Sequence, residues 1–546
     1  MFRDKMAYPV YLTIGNIWKD VRRKPSHRAQ ILVAYIPMTK FEGIAVKARR
    51  RRTVANLFHR CMRHLLAPIS AIGETGVEMM SGDGIWRRCH PIFAVFVGDY
   101  PEQALVSCTY YGSCPKCTIP HDQLGEYDTS PLRNLDEALN VYQLADGTNN
   151  RVFHAACREA GLKPVTHPFW ESLPLSNIYI SITPDILHQM LQGVMKHLIS
   201  WLEHPNTFGA AGINARCRSL PPNHHITHFP KGITTLSRVS GKQRKDMCQI
   251  LIGLIINLPL PGGRLRVIRA VRALLDFLYI AQLPSQTTET VCRLDDALAM
   301  FHQNKSVFVD LGVRKYFEIP KFHSLVHYQS SITLFGTTDN YNTEQSERLH
   351  IDFAKDAYRA TNHKDEYPQM TLWLERHEKV QQHASMIQGR LRATHHPNVL
   401  EASPAKPIGP PGLGTRSVKM TRNPTKRKVD FGALAQDYGA TYFQDAISDF
   451  IARFNHPGAS TGTLNNEATN MLIPFRWVSV YHKVKFACSD TGKSDIVDAV
   501  YVRPKQTDPR GRTIPARFDT VLVRGKQDNI HGVNGKHHSC LVLVLF

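Results

Sequence analysis

The chain has 546 residues, too many for one ordinary domain and enough for two or three. Hydrophobic residues make up 42% and charged residues 21%, values of a folded globular chain that exclude a disordered one. Sixty-seven Lys and Arg against 46 acids give a formal net charge of +21, so a polyanion is the natural partner: nucleic acid, ribosomal RNA or an acidic membrane surface. A merely basic soluble protein would carry the same charge.

The longest apolar run, Ile250 to Leu260, is the length of a core helix and ends at Pro261-Gly262-Gly263, so no membrane span is expected. The amino end has no signal-peptide layout; the eleven cysteines are therefore expected as thiols or metal ligands, not as a disulfide framework.

Tyr8 to Ile14 alternates as a strand, Gly15-Asn16 turns the chain, and Ala29 to Ile36 is a second apolar strand. From Ala45 to Ile72 the period becomes helical, with Val54, Leu57, Phe58, Cys61, Met62, Leu65 and Leu66 three and four apart. Lys47, Arg49, Arg50, Arg51 and Arg52 open that helix. Ile92 to Gly98 reads as a buried-type strand ending at Asp99. Strand, strand, helix, strand with a carboxylate at its tip is the order of strands two to four of an RNase H-like sheet. Helices are predicted at Ile186–Leu202, Lys242–Leu258 and Leu265–Tyr279 within a mostly helical stretch. Ser403 to Lys428, rich in Pro, Gly, Lys and Arg, cannot bury a core and reads as a basic linker carrying Lys426, Arg427 and Lys428. Tyr438 to Phe454 then reads as a helix, and short alternating strands fill 476–546.

Four constellations carry chemistry. Asp99, in GDYPEQ, stands where a rigid strand end holds oxygen for Mg²⁺, although a lone Asp there is more often a turn residue. Cys114 and Cys117 form a C-x-x-C at zinc-ligand spacing, without the pattern of a thioredoxin-type redox pair. His323 and His327, in PKFHSLVHY, are an H-x3-H that one helical turn would place on one face; alone they read equally as two ordinary histidines among 27, but with the C-x-x-C they complete a four-ligand set. Glu344 and Glu347 share one face of a helix running to about Tyr358, where a solvated salt-bridged face is the simpler role. Asp185 and His188, in PDILH, open a helix, and capping suffices to explain the Asp.

These pieces stand in a recognisable order. AYPVYLTIGNI, VRRKPSHRAQILVAYIP, RRCHPIFAVFVGDYPEQALVSCTYYGSCPKC, SITPDILHQMLQGVMKHLISW, IPKFHSLVHY and NTEQSERLHIDFAKDAYRATNHKDEYPQM resemble transposases of Plavaka elements of basidiomycete fungi, relatives of the CACTA, Mirage and Chapaev transposons. The resemblance implies an α/β fold. It comprises an RNase H-like core over 1–120, a helical insertion over 121–320, a closing segment with the catalytic-type helix over 321–395, a linker over 396–430 and a small mainly-β or α+β domain over 431–546. It implies DDE chemistry with Mg²⁺ or Mn²⁺, in which Asp99 is the second acid and Glu347 the third, with Glu344 as runner-up. Cys114, Cys117, His323 and His327 match a structural zinc set similar to that in the V(D)J recombinase core. Asp185 and His188 match a motif whose role sequence does not disclose. The implied partners are transposon-end and target DNA in the nucleus, reached through Lys47, Arg49–Arg52 and Lys426–Lys428, with homo-oligomerisation admitted and no membrane involved.

One departure stands out. The family carries its first catalytic Asp on a strand shortly before AYPVYLT, whereas this chain begins at Met1, six residues before Ala7. Asp4 does not match that strand tip. The expectation is an inactive or partial copy that binds DNA without cutting it. The competing classes are a domesticated zinc-containing DNA-binding protein and an unrelated metal-dependent nuclease.

Overall fold

The computed structural model describes residues 8–128, 130–221, 226–260, 262–395, 416–420, 423–488, 496–507, 511, 513–514, 516–518, 521–524 and 536–539. Asp4 and most of the 403–428 stretch lie outside the described residues. The chain divides into two compact units, Met1–Pro397 and Asn398–Phe546.

The first unit opens with an antiparallel hairpin of β1 (Tyr8–Thr13) and β2 (Gln30–Ile36), pairing Tyr8 with Ile36 and Thr13 with Gln30. A bulge between Val10 and Tyr11 shifts the register. The connection holds the short helix α1 (Lys19–Arg22), whose Lys19 ammonium bonds Thr337 Oγ1 at 3.0 Å. Gln30 Nε2 donates to Gln345 Oε1 at 2.9 Å, and the Tyr35 hydroxyl donates to the Phe353 carbonyl. The hairpin is thus docked on a segment more than 300 residues away in sequence.

Helix α2 (Lys47–Thr75) buries Ala55, Phe58, Met62 and Leu66 at the predicted helical spacing. A hairpin of β3 (Val77–Met80) and β4 (Trp86–Cys89) follows; Asp83 shapes its turn by accepting from Ile85 N at 3.1 Å and pairing with Arg87 at 2.7 Å. The strand expected at 92–98 does not form. Its neighbour is the helical turn α6 (Ile178–Ser181), introduced below, so the segment makes one parallel bridge, Phe96 to Ile182. The backbone groups of Phe93 use side chains: Phe93 N donates to Ser176 Oγ at 3.2 Å, and Ser181 Oγ donates to Phe93 O at 3.3 Å. Among the described residues, no sheet of this unit joins more than two strands.

Helices dominate from there: α3 (Tyr100–Val106), α4 (Leu135–Gly147), α5 (Asn150–Glu159) and α6, which with α2 enclose Tyr142, Phe153, Phe169, Trp170 and Tyr179. The stretch expected as one helix over 186–202 is a π-helix (Ile186–Val194) continued by α7 (Met195–Leu202). Next come α8 (Ala210–Ser219), α9 (Gly241–Ile255), α10 (Arg264–Ala281) and α11 (Thr288–Asn304). They bury a second core in which Leu198, Met247, Leu251, Val271, Leu274 and Phe277 are fully enclosed. Short helices α12 (Val307–Asp310), α13 (Pro320–His323) and α14 (Tyr328–Phe335) lead to α15 (Thr343–His350). A second π-helix (Ile351–Asp356), α16 (Ala357–Arg359) and α17 (Glu366–His395) close the unit.

In the second unit, β5 (Arg416–Met420) and β6 (Lys426–Asp430) are strands where the composition predicts linker. The reason is pairing: β5 aligns with β8 (Lys483–Cys488) and β6 with β7 (Trp477–Val480), giving these polar segments their backbone partners. Lys426, Arg427 and Lys428 therefore lie exposed on a bulged strand, not in a linker. The helix expected over 438–454 is interrupted, because Gly439, at φ 69°, ends α18 (Phe431–Tyr438) before α19 (Phe443–Asn455) begins. Helix α20 (Thr461–Asn470) follows. Strand β9 (Ile496–Arg503) completes the order β12-β9-β8-β5 with β12 (Arg517–Phe518). Two further pairs are β10 (Gln506–Thr507) with β11 (Thr513–Ile514) and β13 (Val521–Arg524) with β14 (Lys536–Ser539).

Candidate metal and carboxylate site

Asp99 ends the 92–98 segment and caps α3, its Oδ1 accepting from Glu102 N at 3.0 Å. Two buried glutamines then lock this turn to another. Gln103 Nε2 donates to Gly98 O at 2.9 Å and to Thr183 O at 2.7 Å, while its Oε1 accepts from Gln189 Nε2 at 2.8 Å. Gln189 Oε1 in turn accepts from Asp185 N at 3.1 Å. GDYPEQ and PDILH are thus clamped together by amides buried to 1% exposure, which cannot be left unpaired without a desolvation penalty. Sequence reading missed both glutamines; their place beside the two acidic motifs was the available signal.

Asp185 is itself buried and caps the first π-helix, accepting from His188 N at 2.7 Å. Its carboxylate also accepts from Thr343 N at 3.1 Å, from Thr343 Oγ1 at 2.8 Å and from His188 Nδ1 at 2.9 Å. The other ring nitrogen, Nε2, stands 3.0 Å from Glu347 Oε1. Burial works against a charge on His188, but hydrogen bonds to Asp185 and Glu347 outweigh it and push the ring up to about 10. The imidazolium then bridges the two acids. Glu344 turns elsewhere: Oε1 pairs with Lys245 Nζ at 2.7 Å, and Oε2 accepts from Asn342 Nδ2 at 3.1 Å.

Glu102 is a further carboxyl here that sequence did not single out. Burial and the nearby charge of Asp99 push it up to about 7, opposed by a hydrogen bond from Tyr8. Lys321 reaches the same region, donating to His188 O at 2.9 Å across Gly193. A Cβ on Gly193 would meet Lys321 Cδ at 2.4 Å, so only glycine leaves the lysine its path.

The second centre is unambiguous in geometry. The ligand atoms of Cys114, Cys117, His323 and His327 all lie within 4.8 Å of one another, and all four residues are buried. Cys114 Sγ stands 3.3 Å from His327 Nε2, and Cys117 Sγ 3.1 Å from His323 Nε2. Bonds of 2.0–2.3 Å around tetrahedral zinc imply ligand separations of roughly 3.3–3.8 Å, and the two sulfur–nitrogen distances lie near the lower end of that range. Lys116 N donates to Cys114 Sγ at 3.4 Å, and Arg133 Nε holds the Cys114 carbonyl at 3.1 Å. Although burial opposes it, hydrogen bonds from Cys117, His323 and His327 hold the Cys114 thiol well below its usual range, the thiolate character a metal needs. His323 Nδ1 is buried without a partner. The histidines do not share a regular α-turn, since α13 tightens into a 3₁₀ turn over Ser324–His327. The group can hold zinc. Among the described residues, it is the one set of three or more His, Cys, Asp or Glu so closely gathered.

Residues 1–202 match the Plavaka transposase family model. The match supports a Plavaka-type transposase. Asp99, Cys114, Cys117, Asp185 and His188 fall inside the Plavaka-matched segment, whereas His323, His327 and Glu347 lie beyond it and meet its residues only in space. No curated protein matches the chain.

The basic residues named from sequence differ in exposure. Lys47, Arg49 and Arg51 are exposed at the start of α2, while Arg50 and Arg52 are half-buried and Arg52 meets His154 Nδ1 at 3.2 Å. The first turn of α2 holds no acid. Cations at this positive helix end are unfavourable by themselves, which a bound phosphate would relieve. Among the described residues, no helix is long and apolar enough to cross a membrane.

Proposed function

We propose that the chain is a cut-and-paste transposase of the DDE type from a fungal element, acting on DNA in the nucleus. In this reading its core is RNase H-like, from the chain order of hairpin β1–β2, helix α2 and the segment ending at Asp99, with the β3–β4 hairpin inserted between the last two and no strand at 92–98. Asp99 and Glu347 supply two carboxylates for Mg²⁺ or Mn²⁺. Those ions would activate water to cut element ends and then direct a 3′-hydroxyl at target DNA, an in-line displacement at phosphorus. Zinc at Cys114, Cys117, His323 and His327 is structural, tying the loop after α3 to the lead-in of α15. The observation that carries the reading is the link between sequence-distant acids: Gln103 and Gln189 join the Asp99 turn to Asp185, and His188 joins Asp185 to Glu347.

A second reading has its own support, because Asp99 is engaged as a cap and Glu347 by His188. A zinc-containing DNA-binding protein that cuts nothing would use the same groups structurally. Incubation of the chain with Mn²⁺ or Mg²⁺ and labelled element-end duplex separates the two. Metal-dependent nicking, lost in both Asp99→Ala and Glu347→Gln, is expected of the transposase. Nicking that survives both substitutions overturns the assignment, and DNA binding with no nicking is the outcome shared by an inactive copy and the second reading.

A further inference from the structure

His188 lies between two carboxylates that have different tasks. Asp185 is 1% exposed and spends its oxygens on Thr343 N, Thr343 Oγ1, His188 N and His188 Nδ1, so it is wholly a structural acceptor. Glu347 is half-exposed at 52% and meets the ring through one oxygen, Oε1. The residues fixing the ring are themselves fixed. Asp185 N is held by Gln189, and Thr343 opens α15, the helix that carries Glu347. His188 sits in one π-helix, Ile186–Val194, and Glu347 lies just before the other, Ile351–Asp356. A π-turn widens the helix and re-aims its side chains, and such turns gather at functional sites.

We propose that Asp185 and His188 are positioning residues for Glu347. Asp185 orients the imidazole, whose Nε2–H holds Oε1 and leaves Oε2 directed to a divalent cation. This inference rests on the reading of Glu347 as a metal carboxylate and deepens it by assigning a role to the PDILH motif. Hydrogen bonds behind a ligating carboxylate fix its orientation, and their loss typically costs roughly 10–100-fold in metal affinity. Asp185 acts at one remove, by fixing the ring plane.

The test is Mn²⁺ binding by the zinc-loaded full chain, followed as loss of the free-ion electron paramagnetic resonance signal. Glu347→Gln, His188→Ala and Asp185→Asn are each expected to weaken binding, the last two by roughly tenfold or more. His188→Gln, which retains one N–H donor, should recover part of the loss; a merely structural role would not grade binding in that way. Zinc content and melting temperature, recorded for every variant, identify any that fails to fold, and the conservative His188→Gln then carries the comparison. Weakened binding in Glu347→Gln with wild-type binding in His188→Ala overturns the inference alone, as does tighter binding in His188→Ala. A wild-type chain that takes up no Mn²⁺, or a Glu347→Gln variant that binds as wild type, overturns the carboxylate reading beneath it.

Discussion

Cys114 shows how much one side chain can decide in this molecule. The residue is 2% exposed and its sulfur faces a histidine 213 residues away, so the ion it would help hold joins two remote segments. A metal that closes so long a loop stabilises the folded state strongly, because the unfolded chain has no preformed site. Cys114→Ser should lower zinc from about one ion per chain to near none and the melting temperature by roughly 5 °C or more, read by metal analysis and calorimetry. Full zinc retention in that variant would remove Cys114 from the set. Glu344 and Glu347 make the complementary point. They share a helix face by spacing, yet Lys245 takes one and His188 the other.

At the scale of elements, α2 combines a buried stripe with a basic start that the helix dipole disfavours. Phe58, Met62 and Leu66 anchor it, while Arg49 and Arg51 point to solvent and add nothing to the core. Replacing both by Ala should leave the fold as stable or slightly more so, since each cation at a helix amino terminus costs about 0.3–1 kcal/mol. DNA affinity should fall at the same time. The slope of log affinity against log salt should become shallower by about 0.9 for each phosphate that the protein no longer neutralises. Thermal melts and binding isotherms across a salt series check both signs; an unchanged slope would place the DNA elsewhere. The 92–98 segment gives the opposite lesson about elements. Its apolar run is strand-like, but a strand is made by its neighbour, and here the neighbour is the helical turn α6.

For the molecule as a whole, all four candidate zinc ligands, both proposed metal acids and Asp185 with His188 lie in Met1–Pro397, whereas Lys426, Arg427 and Lys428 lie in Asn398–Phe546. A chain ended after His395 is therefore expected to fold and keep its zinc. It should bind DNA more weakly than the full chain, with a shallower salt dependence, because part of the basic surface is gone. Zinc analysis and salt-dependent binding of the shortened chain check this. Loss of zinc on shortening would mean that the second unit is needed to build the first.

Composition and local pattern by themselves determined the basic character of the protein, the β1–β2 hairpin, α2 and the main helices after it. Periodicity survives wherever a stripe must face one core, as Phe58, Met62 and Leu66 do. The C-x-x-C and H-x3-H spacings also pointed to the four residues that the fold gathers into a group able to hold zinc, because ligation demands particular atoms whatever the fold. Only tertiary structure decided that the 92–98 run lacks a strand partner, that 416–420 and 426–430 find theirs in β8 and β7, and that Glu347 rather than Glu344 meets His188. It alone uncovered Gln103 and Gln189, ordinary amides until burial obliges them to pair. The division follows from range: spacing records which groups share a face, while pairing and burial depend on what the rest of the chain brings alongside.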